Sequence, residues 1–205
     1  MRIADIAGPG RDRRGFSLIE VLTVVVIIGI LAAITIPVLS GARASADRAK
    51  TKAQFSQWAS AMELYRQEYG FYPNIATGGK VDPERFAAEL TGRTLSGAAI
   101  GEGYGNRKAL RFYTLSADEL DDDGLLLLDG FGNDDIAVRV DSNRDGLINA
   151  SDSGSWVSVV GLEAGGGSAP TDLPEAVPTA GVRAGVVFYS AGRGRDENDL
   201  VLSWR

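Results

Sequence analysis

The residues with the clearest chemical spacing lie in the middle of this 205-residue chain, in the run Asp141-Ser142-Asn143-Arg144-Asp145-Gly146-Leu147-Ile148-Asn149-Ala150-Ser151-Asp152. Asp141, Asn143, Asp145, Asn149 and Asp152 put side-chain oxygens at positions 1, 3, 5, 9 and 12 of a twelve-residue loop, and Leu147 supplies a backbone carbonyl at position 7. Gly146 permits the sharp turn at position 6, and Ile148 can anchor the loop to a core. Calcium is the ion such a loop would hold; a solvated Asp/Asn turn between strands is the alternative. No His and no Cys occur in the chain, so catalytic His, Cys nucleophiles, His/Cys zinc sites and disulfides are excluded. What remains is oxygen and amine chemistry, suited to calcium or magnesium. Asp121-Asp122-Asp123 has no ligand spacing and reads as a solvated turn. Lys and Arg total 21 against 27 Asp and Glu, a net charge of -6, which argues against non-specific nucleic-acid binding.

The second chemical singularity is Glu20. After a polar stretch, Met1 to Arg14, the chain turns apolar at Phe16 and carries no charge from Val21 to Ala42. As a helix, those 22 positions would cover about 33 Å, enough to cross a bilayer core. A carboxylate at the edge of such a segment is costly and demands either a headgroup position or a positive partner. A cut between Gly15 and Phe16 would create that partner, the amino group of Phe16, on the same or a neighbouring helix. Because Gly15 precedes the apolar run, such a cut leaves the span on the mature protein, unlike removal of a secretory signal. Arg2, Arg11, Arg13 and Arg14 before the run are matched by Arg43, Arg48, Lys50 and Lys52 after it, so flanking charge leaves orientation open.

The run Arg14-Gly15-Phe16-Ser17-Leu18-Ile19-Glu20-Val21 resembles the processing signal of type IV pilins and of the pseudopilins of type II secretion systems. That resemblance implies a leader peptide at 1–15, a transmembrane and assembly helix at 16–41, and a soluble pilin-like α+β domain at 42–205. It also implies cleavage after Gly15 by a prepilin peptidase, methylation of Phe16, and pairing of Glu20 with the amino terminus of an adjacent subunit. An orientation with the carboxyl-terminal domain in the periplasm and a single pass through the bacterial inner membrane follows from the same source.

The elements that would carry these groups are legible from pattern. Phe55, Trp58, Met62, Tyr65 and Tyr69 recur at spacings of 3, 4, 3 and 4, one apolar stripe on a helix. With the apolar run this gives a helix from Phe16 to Tyr69, a transmembrane segment continued by a spine. Pro37 should kink or locally unwind it. Gly70 and Pro73 end it; the surrounding Leu64-Tyr65 to Gly70-Phe71-Tyr72-Pro73 is similar to the spine terminus of major pseudopilins. Asp82 to Leu90 reads as a capped helix with Pro83 in its first turn, and Ser116 with Glu119 as a capping box. Gly92 to Gly105 is a Gly-rich loop without the dinucleotide fingerprint. Expected strands are Arg111–Leu115, Leu125–Leu128, Ile136–Val140, Trp156–Val160, Gly185–Tyr189 and Leu200–Trp204, with an exposed loop from Gly161 to Gly181. The predicted fold is α+β, a long helix packed on a small, mainly antiparallel sheet.

Asp129-Gly130-Phe131-Gly132-Asn133 is similar to a turn of the same pseudopilins, with Gly130 and Phe131 in place of Pro and Trp. The run from Ser190 to Trp204 resembles their carboxyl-terminal calcium loop, which implies Ser190, Asp196, Asn198 and Asp199 as a second ligand set. Arg193 and Arg195 depart from that pattern, and a salt-bridged hairpin turn is the alternative. The resemblance implies a structural, non-enzymatic subunit of a type II secretion pseudopilus. Its implied partners are copies of itself, other pseudopilins, the peptidase and the inner-membrane secretion platform. A type IV pilus subunit and a membrane-tethered calcium-dependent binding module are the other readings. A carboxylate-based glycosidase is disfavoured, because the acids sit in short Gly-rich turns with no scaffold for a substrate cleft.

Overall fold

The computed structural model describes residues 17–161, 177–178, 180–194 and 199–205, with side chains at all of these except 35–39. It divides into two compact units, residues 1–42 and 43–205. Helix α1 (Leu18–Tyr69) starts in the first unit, with the amides of Glu20 and Val21 donating to the Ser17 carbonyl at 3.0 and 3.2 Å. Its apolar side chains from Leu18 to Ile34 are exposed. α1 runs through Pro37 without a break in helical assignment, so the local unwinding expected there is absent. The first four amides of a helix need no intrahelical carbonyl, but at an interior position Pro removes one bond and the remaining turns hold.

In the second unit the expected aromatic stripe is the core. Phe55, Trp58, Met62 and Tyr65 are fully buried against Phe86 and Leu90 of α2 (Pro83–Thr91) and against Ile136, Val138, Phe188 and Val201 of the sheet. Trp58 lies 4.6 Å from Phe86 and 5.5 Å from Phe188, ring centre to ring centre. Burial of each such side chain is worth about 1.5–3 kcal/mol. Asp82 caps α2 by accepting from the Arg85 amide at 3.1 Å. Gly70, at φ 82°, ends α1 in the left-handed region.

The sheet has five strands in sequential order, all antiparallel: β1 (Ala76–Thr77), β2 (Lys80–Val81), β3 (Ile136–Val140), β4 (Val186–Ser190) and β5 (Val201–Leu202). Ile136, Val138 and Phe188 face α1, whereas Ala137 and Tyr189 face a second apolar cluster with Val159 and Leu200. β1 and β2 were not among the expected strands. Gly78 and Gly79 join them with φ 63° and 84°, the positive values that a two-residue hairpin requires.

Three expected strands are not strands, because their backbone groups find other partners. The amides of Phe112 and Tyr113 both donate to the Leu90 carbonyl at the end of α2, so Arg111–Leu115 is captured by a helix terminus. Leu125–Leu128 forms one arm of a tight turn with a single bridge, Leu120 to Leu127. Along Trp156–Val160, Val157 exchanges both backbone bonds with the Tyr189 hydroxyl, each at 2.9 Å. Most of the expected loop from Gly161 to Gly181 lies outside the described residues.

Candidate functional site

Three groups of residues were singled out by chemistry, and the structure places parts of each. At the amino end, Gly15 and Phe16 lie outside the described residues. Glu20 is in the first turn of α1 and exposed, where a negative charge is favoured by the helix dipole. Thr23 returns its hydroxyl to the Ile19 carbonyl at 2.8 Å, which satisfies it within an apolar segment. Among the described residues no helix is long and apolar enough to cross a membrane. The stretch with described side chains stops at Ile34, whereas the uncharged run in the sequence continues to Ala42.

The 141–152 loop is organised by its own side chains. Asp141, buried, accepts from the amides of Arg144 and Asp145 on Oδ1 at 2.6 and 3.2 Å and from that of Gly146 on Oδ2 at 2.8 Å. Asp152, also buried, accepts from the Ser142 and Asn143 amides and the Ser142 hydroxyl on Oδ1, and from the Asn149 amide on Oδ2. Burial pushes the Asp152 carboxyl up, but these donors outweigh it and the net shift is downward. Asp145 takes the Leu147 amide on one oxygen and the Asn143 side-chain amide on the other. Gly146 is left-handed at φ 84°, as position 6 requires. Ile148 is fully buried and bridges to Val182, which is the anchoring expected of position 8.

Arg144 is left-handed despite its side chain, at φ 66°, and donates through Nη2 to the Gly70 carbonyl at 2.8 Å. The loop is thereby tied to the end of α1, where cationic donors are favoured. Arg139, beside it on β3, donates to the Asn149 carbonyl at 3.0 Å and stacks 5.0 Å over the Trp156 ring. Among the described residues no group of three or more acidic side chains is poised to hold a metal ion. The oxygens of the loop do retain unused capacity: a carboxylate offers about four acceptor sites, so Asp141 Oδ2, Asp152 Oδ2 and both oxygens of Asp145 each take only one of the bonds above.

At the carboxyl end, Asp196 and Asn198 lie outside the described residues. Ser190 is buried on β4 and donates its hydroxyl to Asp129 Oδ2 at 2.6 Å. Asp129, buried as well, also accepts from the Phe131 amide, the Asn133 amide and Asn133 Nδ2 at 2.8, 2.9 and 3.0 Å. Asn133 in turn donates to the Gly192 carbonyl at 2.6 Å. The Asp129–Asn133 turn is therefore clamped to the carboxyl-terminal loop through Ser190 and Gly192.

Two buried carboxylates hold loops onto α1. Glu89 accepts from the Tyr65 hydroxyl at 2.8 Å and the Gly105 amide at 2.7 Å. Glu119 accepts from Trp58 Nε1 and the Tyr113 hydroxyl at 3.2 and 2.6 Å. Burial, then the facing carboxylate, pushes both Tyr65 and Tyr113 well above the ordinary phenol range. Glu119 had a sequence signal in its capping box, which the structure contains. Glu89 had none, because its helical position gives no hint that a tyrosine will face it.

Comparison with known proteins bears on the amino end. The prokaryotic N-terminal methylation motif matches residues 10–36. The type II secretion system core protein G of Pectobacterium carotovorum is 37% identical over 71 residues, 35% of this chain and 46% of the relative. That of Klebsiella michiganensis is 37% identical over 68 residues, 33% of this chain and 48% of the relative. That of Vibrio cholerae is also 37% identical over 68 residues, covering 33% and 47%. The chain spans about half the length of the curated relatives it matches. No solved structure matches it. The chain thus carries a prokaryotic N-terminal methylation motif that runs into α1, and over about a third of its length it is similar to type II secretion system core protein G.

Proposed function

We propose that the chain is a structural subunit of a type II secretion pseudopilus, anchored in the bacterial inner membrane by residues 16–41 with residues 42–205 in the periplasm. One observation carries this reading. The methylation motif at 10–36 leads directly into a helix whose first turn holds Glu20 and whose sequence then has no charge until Arg43. Cleavage between Gly15 and Phe16 by a prepilin peptidase supplies an ammonium at Phe16. Glu20 of a neighbouring copy then offsets it, so that two charges which are each costly in lipid enter the polymer as a pair. The partners on this reading are further copies of the chain, other pseudopilins and the inner-membrane secretion platform. The matching relatives are secretion-system proteins, which supports a secretion pseudopilus over a type IV pilus. The reading is structural, not enzymatic.

Calcium belongs to the same proposal as a staple of the soluble unit. Asp141, Asn143, Asp145, the Leu147 carbonyl, Asn149 and Asp152 would hold it, through the acceptor capacity that the amide network leaves free. Ser190 and Asp199, with Asp196 and Asn198, form the second candidate set; Ser190 would have to release Asp129 to take part. Calcium would supply charge neutralisation to a loop that carries Asp141, Asp145 and Asp152. Mass spectrometry of membrane-extracted protein tests the central reading. The expected amino terminus is N-methyl-Phe16, and assembled material that retains Met1 would overturn it.

A further inference from the structure

Within residues 43–205, two exposed surfaces of opposite charge stand apart. From Phe112 to Val138 the sequence has eight acidic residues and no basic one; from Arg93 to Arg111 it has four basic residues and one acidic. Part of the acidic set is spent inside the molecule. Glu119 and Asp129 are buried acceptors, Asp118 pairs with Lys50 at 2.7 Å, and Asp135 pairs with Lys80 at 2.6 Å. Asp134 is exposed as well, and Asp122 and Asp123 stand on the surface at the tip of a tight turn that Asp121 braces by accepting from the Leu125 and Leu126 amides at 2.7 and 2.8 Å. Beside them Leu125 and Leu126 are 61% and 40% exposed.

On the basic surface Lys108 pairs with Glu68, while Arg107 and Arg111 are exposed next to Leu110, itself 37% exposed. Among the described residues no ion pair includes Asp122, Asp123, Arg107 or Arg111. Among the described residues, each surface thus presents two charges of one sign outside any ion pair beside exposed leucine, and the two are complementary.

α1 sets the separation. Asp118 is fastened to Lys50 and Lys108 to Glu68, eighteen residues farther along the helix. At 3.6 residues per turn that is five turns, so Lys50 and Glu68 lie on one side of α1, about 27 Å apart, and they hold Asp118 and Lys108 at well-separated points along it. Among the described residues no ion pair joins the two surfaces within one molecule. Different patches that meet between identical copies make a heterologous contact, which propagates into an open helical polymer when the rotation does not close.

We propose that the Asp122–Leu126 turn of one copy seats against the Arg107–Arg111 segment of the next, a head-to-tail contact with a second copy of this chain as its occupant. The proposal rests on the filament reading above and names a surface for it. The exposed leucines desolvate the centre of the contact, and the carboxylate–guanidinium pairs set its register.

The chain has no cysteine, which makes the test direct. The full-length protein carrying both Asp123→Cys and Arg107→Cys is produced with its assembly machinery and treated in the membrane with a short bis-maleimide. A carboxylate–guanidinium pair holds its Cβ atoms farther apart than the about 4 Å that a disulfide requires, so a spacer is needed, and the contact predicts a ladder of covalent multimers from the double variant and none from either single variant. Arg107→Asp with Arg111→Asp should remove most assembled material at an unchanged melting temperature. Adding Asp122→Lys and Asp123→Lys should restore it. Wild-type filaments together with no ladder and no effect of charge reversal would overturn this surface and leave the filament reading standing. Failure of the wild-type chain to polymerise at all would overturn the filament reading itself. Cross-linking to a different protein in place of a second copy would also overturn the proposal.

Discussion

Replacing Asp129 by Ala removes the acceptor on which four donors converge. The amides of Phe131 and Asn133, the Asn133 side chain and the Ser190 hydroxyl all point at its two oxygens. Asn133 Nδ2 keeps the Gly192 carbonyl, so three donors are orphaned in a region where Asp129, Asn133 and Ser190 are each at least 97% buried. An orphaned buried donor costs about 1–3 kcal/mol. Relief of the desolvated carboxylate returns part of that, leaving a net loss of about 3 kcal/mol. For a chain of this size 1 kcal/mol moves the midpoint by roughly 2–4 °C, so the expected drop is about 6–12 °C. The assay is thermal unfolding of the detergent-solubilised chain, followed by tryptophan fluorescence. Ser190→Ala orphans no donor and removes one charge-assisted bond, so it should cost about 1.5–3 kcal/mol. A double-mutant cycle of the two substitutions should show coupling of more than 0.5 kcal/mol, as expected for residues in one network. A drop below about 2 °C for Asp129→Ala, or strict additivity with Ser190→Ala, would refute the clamp as a stabilising unit.

Further expectations concern assembly, calcium and pH. Glu20→Val should insert well, since it removes an insertion cost of about 2.5–3.5 kcal/mol, yet yield little filament; recovery equal to wild type would show Glu20 to be an interfacial residue with no assembly role. Calcium at a hundredfold excess over Kd should stabilise the folded state by about 2.7 kcal/mol. Chelator and the variant Asp141→Ala with Asp145→Ala should each abolish that increment, and an unchanged melting midpoint on chelation would return the loop to an ordinary acidic turn. Asp152 is depressed below its ordinary value of 3.8 in the folded chain. Its contribution to stability is therefore complete above that value and lost as pH falls through the lower, folded one. Asp152→Asn should accordingly flatten the acid limb of the unfolding profile below about pH 4, and an identical acid limb in the variant would count against the network around Asp152.

Much of this protein was decided by local pattern. The spacing of Phe55, Trp58, Met62 and Tyr65 specified both the helix and the face it buries, because a 3.6-residue period leaves only one side for a core. The caps at Asp82 and Gly70 and the box at Ser116 and Glu119 were equally legible, since each depends on residues no more than a few positions apart. The 141–152 loop showed its turn and its anchor in Gly146 and Ile148 for the same reason. The amino-terminal methylation motif was readable because a Gly-Phe step, an acid and an apolar run are all features of sequence. Tertiary structure decided where backbone groups found partners across long separations. Arg111–Leu115 and Trp156–Val160 have strand composition, yet a helix-end carbonyl and the Tyr189 hydroxyl took the bonds that a ladder would have used. The Gly78-Gly79 hairpin was written in the sequence, but strands of two residues carry too little alternation to register as such. No local pattern could place Asp129 under Ser190 or Glu89 against Tyr65, separated by 61 and 24 positions. Whether a carboxylate is solvated or becomes a buried acceptor depends on which donors the fold brings to it, and only packing supplies them.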